Sequence, residues 1–164
     1  MDATTTHSMP LLIQKLKAAH PDVTFTEADK FSWSPHNRTI YYNTQLPNAE
    51  ALLLHELSHA LLGHRSYERD VELVSMETAA WEKAAEYAKE NAVHLTGITL
   101  ELGDEVIQDH LDTYREWLHA RSTCPQCSAN GYQTDVLKYT CPACSHSWKV
   151  NEARLCALRR YSIS

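Results

Sequence analysis

Apolar positions along the chain change their period several times, and each change marks an element. Met9, Leu11, Leu12, Leu16 and Ala19 recur at helical spacing over residues 8–20. His20-Pro21 ends that run, because a proline disfavours helical angles in the residue before it. From Val23 to Tyr42 the apolar residues are strand formers (Val23, Phe25, Phe31, Trp33, Ile40 and Tyr42), and Ser34-Pro35-His36-Asn37 reads as a hairpin turn. Pro47 suits the first turn of a helix that continues from Ala49 through Leu62, with Gly63 as its stop. A stretch rich in Ala, Glu and Lys predicts a long helix from Asp70 to Asn91, and Thr96–Gly103 a loop with a short extended piece. Asp104–Arg121 reads as an amphipathic helix with Val106, Ile107, His110, Leu111, Tyr114 and Leu118 on one face. Beyond Ser122 short strands alternate with cysteine turns. The expected fold is α+β: a small antiparallel hairpin or sheet with three to four helices over residues 1–121, then a compact segment over 122–164.

Composition narrows the class. The chain has 164 residues, 43% hydrophobic and 22% charged, which is ordinary globular usage and excludes a disordered chain or a fibre. No apolar run approaches the ~18 residues of a membrane span, so no membrane partner is expected. Met1–His7 lacks the basic and apolar regions of a secretory signal, so a cytoplasmic location with reduced thiols is expected. The net charge of −6 is unevenly spread. Residues 1–121 carry 10 Lys+Arg against 19 Asp+Glu, while residues 122–164 carry 5 against 2. Two parts with different roles follow from that split.

The segment Leu54-His55-Glu56-Leu57-Ser58-His59-Ala60 carries the chemistry. Histidines four apart on a helix project from one face, one turn from each other, and can bind a single zinc ion at ~2.0–2.1 Å. Glu56 follows the first ligand and can reach a water on the metal rather than the metal itself, which makes it the natural general base. Leu52, Leu53, Leu54, Leu57, Leu61 and Leu62 surround these residues, so the helix should be buried. Polar groups inside it then need partners or a metal.

A third ligand is needed, and helical geometry selects one. At ~100° per residue, Leu73, Ala80, Trp81, Ala84 and Ala88 fall within about 60° of Glu77 on the next long helix. On the same step Glu72, Glu82, Glu86 and Glu90 fall about 140° or more away, on a solvated face. Glu77 is thus a carboxylate inside an apolar stripe. Asp70 shares its face but starts the helix, where an N-cap role is expected. His64 follows His59 by five residues, one short of the metzincin spacing for a third histidine, and reads as a loop residue beside the site. Tyr67 is equally placed to donate to a developing oxyanion.

Cys124-Pro-Gln-Cys127 and Cys141-Pro-Ala-Cys144 are separated by 13 residues, the spacing of a closed four-cysteine structural zinc site, a zinc ribbon. So short a segment cannot hold a hydrophobic core, and the metal should supply its folding energy. Cys156 has no partner cysteine and reads as a small apolar residue. Lys138, Lys149, Arg154, Arg159 and Arg160 could contact phosphate, and Tyr132, Tyr139 and Trp148 could stack on bases, so nucleic acid is a candidate partner of the ribbon.

Residues Val23 to Asn91 resemble the ImmA/IrrE-type metallopeptidases of the wider gluzincin group. The likeness rests on the edge hairpin, on His55-Glu56-x-x-His59 and on Glu77-x-x-Ala80 in the following helix. It implies a zincin-like fold, His55, His59 and Glu77 as zinc ligands, Glu56 as catalytic base, and a protein or peptide substrate such as a transcriptional repressor. A second resemblance, to SprT-like DNA-associated proteases, comes from a His-Glu-x-x-His core followed by a zinc ribbon; those use a third histidine, which the position of Glu77 disfavours. The expected function is a zinc-dependent endopeptidase holding two zinc ions per chain, one catalytic and one structural. Strand Arg38–Tyr42 would hold an extended substrate by β-addition. The competing reading is a non-catalytic zinc-binding adaptor whose ribbon binds a protein or nucleic acid. Glu56 argues against it, since a purely structural His/His/Glu site has no use for that carboxylate.

Overall fold

The computed structural model of the chain describes residues 8–95, 104–152 and 160–162. The expected loop Thr96–Gly103 and the residues Arg154, Cys156 and Arg159 lie outside the described residues. The elements run α1 (Ser8–Ala19), β1 (Thr24–Glu27), β2 (Ser32–Ser34), β3 (Thr39–Tyr42), α2 (Ala49–Leu61), α3 (Asp70–Leu95), α4 (Asp104–Ser122), β4 (Tyr132–Asp135), β5 (Lys138–Thr140), β6 (Ser147–Val150) and β7 (Arg160–Ser162). The α+β class read from the periodicities is the class observed. No helix among the described residues is long and apolar enough to cross a membrane.

Two compact units divide the chain, one built from described residues of 1–65 and 78–103, the other from 66–77 and 104–164. The division passes through α3 after Glu77, so this one unbroken helix takes part in both.

In the first unit α1 and α2 pack with a three-stranded sheet of order β1-β3-β2. Its core holds Leu12, Leu16, Ile40, Leu53 and Leu57, all fully buried, with Ala84 and Ala88 from α3. β2 and β3 form the expected hairpin, Ser34 opposite Thr39, across a turn at residues 35–38. The expectation of a purely antiparallel sheet needs correcting, because β1 lies parallel to β3, Thr24 opposite Thr39 and Glu27 opposite Tyr42. The hairpin satisfies only one edge of β3, and β1 takes up the other edge. Strand Arg38–Tyr42 therefore cannot add a peptide, as was expected of it: β3 is central, and the open edges belong to β1 and β2.

In the second unit a four-stranded antiparallel sheet, β4-β5-β6-β7, carries the cysteine turns. Trp148, Tyr139, Val150, Cys124 and Cys141 make its core, which corrects the expectation that so short a segment holds none: two aromatic rings packed against the cysteine turns suffice for a small one. The stacking role expected of Tyr139 and Trp148 is thereby corrected: at 2% and 0% exposure neither ring can meet a base, and of the three rings named for that role Tyr132, at 53%, is the exposed one. Trp148 Nε1 donates to the carbonyl of Arg121 at 2.9 Å, tying the sheet to the end of α4. Asp70 is likewise not a side-chain N-cap. Its buried carboxylate accepts from Arg121 Nε at 2.7 Å and from the Tyr139 hydroxyl at 2.6 Å. The capping is done instead by Gln133, whose Oε1 accepts the Asp70 amide at 2.7 Å, and by Glu72, whose Oε2 accepts the preceding amides of Glu68 at 3.0 Å and Arg69 at 3.4 Å.

Candidate metal centres

Among the described residues two groups of side chains converge as metal-binding sets: His55, His59 and Glu77, and Cys124, Cys127, Cys141 and Cys144. Within each, one ligand atom per residue lies within 4.8 Å of all the others.

The first set is built by two helices. In α2 Leu53, Leu54 and Leu57 are buried, and His55 and His59 come inward with them at 5% and 7% exposure; Leu61 and Leu62, expected to be buried too, are exposed where the helix ends. Their one-turn spacing sets the two Nε2 atoms 3.1 Å apart, with the rings edge to face. In α3 the stripe Leu73, Ala80, Trp81, Ala84 and Ala88 is buried, and Glu77 is buried in the midst of it at 5% exposure. Glu72, Glu82, Glu86 and Glu90 are exposed, as the helical phase requires. Trp81, one turn beyond Glu77, stacks on the His55 ring with centroids 4.2 Å apart, which fixes the plane of that imidazole. Among the described residues two buried side-chain atoms have no hydrogen bond, His55 Nδ1 and Glu77 Oε2, although both residues make other contacts. The donor set fits a tetrahedral zinc ion: bonds of ~2.0–2.1 Å give ligand separations of about 3.4 Å, close to the nitrogen spacing observed.

Glu56, which follows His55 in α2, is half-buried between two buried neighbours. Tyr67 lies half-buried in the connection before α3. His64, expected near the site, is brought to it by a specific bond: its Nδ1 lies 2.8 Å from His59 Nδ1. A further histidine was overlooked in the sequence. His110, noted there only as part of an amphipathic face, has its pKa lowered by burial, against the opposing charges of Asp109 and Glu77. Its nearness to Glu77 carries no local sequence signal. A cleft of about 670 Å³ opens elsewhere in the first unit, lined by Met9, Ile13, Tyr42, Leu46 and Asn48, and shares no residue with the histidine group.

The second set is made by two matching turns. Ser128 N donates to Cys124 O and Ser145 N to Cys141 O, each at 2.9 Å, while Cys124 N and Cys141 N donate back to Ala129 O and His146 O at 2.8 Å. Ser128 and Ser145 both take left-handed angles, φ 66° and 62°, which swings each chain around its cysteine pair. The turns bring Cys124 Sγ to 3.7 Å from Cys144 Sγ and Cys127 Sγ to 3.5 Å from Cys141 Sγ. A tetrahedron with Zn–S of ~2.3 Å has edges of about 3.8 Å, so the four sulfurs fit. The Cys144 amide, and after it that of Ala143, brings the Cys141 thiol down to about 7 despite burial, while Cys144, against the His146 amide, is raised to about 12 by burial and by its bonds to the other thiols.

No protein-family model, curated protein or solved structure matches this chain.

Proposed function

We propose that the chain is a zinc-dependent endopeptidase of the ImmA/IrrE type with a structural zinc ribbon. The observation that carries this reading is the convergence of buried His55, His59 and Glu77 beside a half-buried Glu56. Zinc held by two imidazoles and one carboxylate would supply Lewis acidity toward a peptide carbonyl and toward water. Glu56 takes the proton that water loses as its oxygen attacks the carbonyl carbon, and passes a proton to the amine nitrogen as the C–N bond breaks. An extended substrate adds along the open edge of β2, the edge strand that packs with α2. Zinc in the four-cysteine set has no open position and serves the fold. His64 Nδ1 engages the outer nitrogen of His59, Nδ1, and Glu77 is the residue that converges with His55 and His59, which supports a carboxylate third ligand over the three-histidine SprT-like arrangement.

The test is a proteome-derived peptide library digested by zinc-loaded protein and by Glu56→Gln. Wild type should cut and lose activity with chelator. The variant should keep its zinc and its fold but not cut, because an amide cannot accept the proton. Cutting by Glu56→Gln at the wild-type rate would overturn the mechanism.

A second reading, nucleic-acid binding by the ribbon, is favoured by one observation. Lys138 and Lys149 are direct cross-strand partners, and both are exposed. Like charges placed opposite each other are destabilising, and an anion between them relieves the repulsion. Binding of single-stranded DNA that weakens with salt and is lost in Lys138→Gln/Lys149→Gln would support it.

A further inference from the structure

α2 ends in a Schellman motif: Gly63 N donates to Ala60 O at 3.1 Å and His64 N to His59 O at 3.0 Å. Gly63 takes φ +68°, and no heavy atom lies within 4 Å of the place a Cβ would occupy. The glycine is thus required by its left-handed backbone and not by a close approach. Its consequence falls on the next residue. The reversal folds His64 back over the last turn of α2, with its ring centroid 5.1 Å from that of His59 and the two Nδ1 atoms 2.8 Å apart. From the other side Trp33 Nε1, on the edge strand β2, donates to the His64 carbonyl at 3.2 Å.

A hydrogen bond between two Nδ1 atoms needs one proton, carried by one ring and accepted by the other. His59 turns its Nε2 toward His55 Nε2. A ligating nitrogen carries no proton, so ligation through Nε2 places the proton of neutral His59 on Nδ1. His64 Nδ1 must then be the acceptor, with its own proton on Nε2.

We propose that His64 is a positioning residue for the His55/His59/Glu77 metal set: it accepts the Nδ1–H of His59 and holds that ring in the tautomer and orientation that turn Nε2 to the metal. The proposal rests on the metal reading of that set. His64 acts through His59, and the glycine-dependent end of α2 together with Trp33 keeps it in place.

The experiment uses the full chain and zinc itself. Zinc affinity is measured by competition with a chromophoric chelator for wild type, His64→Leu and His64→Asn, and His55→Ala marks the signal of the cysteine set alone. Asn places an acceptor oxygen near the position of Nδ1, whereas Leu offers none. Loss of such an outer partner weakens metal binding about 10–100-fold, so His64→Leu should lose affinity on that scale while His64→Asn recovers most of it. Gly63→Ala, which keeps the imidazole but strains the turn, should also weaken binding. Nitrogen NMR of the zinc-loaded wild type should show His59 protonated at Nδ1. Wild-type affinity in His64→Leu, or equal loss in His64→Asn and His64→Leu, would overturn the positioning role and leave the metal set standing. A wild-type chain that binds no more zinc than His55→Ala would overturn both.

Discussion

Arg121, in the last turn of α4, and Asp70, the first residue of α3, form a buried ion pair, Nε to Oδ2 at 2.7 Å, with side-chain exposures of 2% and 5%. The guanidinium also lies over the Trp117 ring, 4.7 Å from its centroid, and Tyr139 donates to the same carboxylate oxygen. Burial, and then the Asp70 carboxylate, push the Tyr139 phenol well above its usual range, so it stays a donor. This cluster joins the start of α3, two turns before Glu77, to the end of α4 and to the ribbon strand β5.

Removing one partner of a buried pair strands the other charge, which costs ~3–5 kcal/mol. Arg121→Met alone should lower stability by that order, measured by urea denaturation of zinc-loaded protein. Adding Asp70→Asn to it should restore a substantial part. A loss of under ~1 kcal/mol in the single variant would mean that solvent reaches the cluster.

Glu77→Ala should lose one of two zinc ions in native mass spectrometry, because it deletes a ligand of the histidine set while the cysteine set stays intact. Glu72→Ala should keep both ions. It loses only the bonds to the amides of Glu68 and Arg69, a capping contribution of about 1 kcal/mol or less. Two zinc ions in Glu77→Ala would refute its assignment as a ligand.

Gly131→Ala should destabilise the second unit. A Cβ at Gly131 collides with the buried indole of Trp148 and stands 3.0 Å from Thr140 O. Trp148 is fully buried and hydrogen-bonded to Arg121 O, so it cannot swing away. Overpacking of this kind costs roughly 1–3 kcal/mol, and thermal unfolding followed by tryptophan fluorescence should report it.

His20 gives a pH prediction. Burial lowers its pKa below 6.5, the Asp22 carboxylate opposes this only in part, and its Nε2 lies 2.9 Å from the Tyr87 hydroxyl. The unfolded chain therefore binds a proton more readily than the folded one. The contribution of His20 to stability is full above pH ~6.5 and declines as the pH falls below that value. The urea midpoint should drop between pH 7 and pH 5, and His20→Gln should make that drop shallower. An unchanged slope in the variant would remove His20 as a source.

What could be read directly along the chain was whatever depends on short spacings. The four-residue step of His55 and His59, the helical phase that puts Glu77 among Leu73, Ala80 and Trp81, and the Cys-x-x-Cys pairs all repeat within a turn or two of backbone. Local geometry converts such spacings into faces without reference to the rest of the fold. The hairpin at Ser34–Asn37 was legible for the same reason. Tertiary structure alone decided that β1 completes the sheet in parallel and makes β3 internal, since strand order depends on which edge remains to be satisfied. It alone turned Asp70 from an expected cap into the partner of Arg121, 51 residues away. It placed His110 near Glu77 and closed Tyr139 and Trp148 into a core. A charge, a phenol or an imidazole carries no periodic mark of its distant partner, because that partner is selected by packing and by the cost of burying a polar group unpaired.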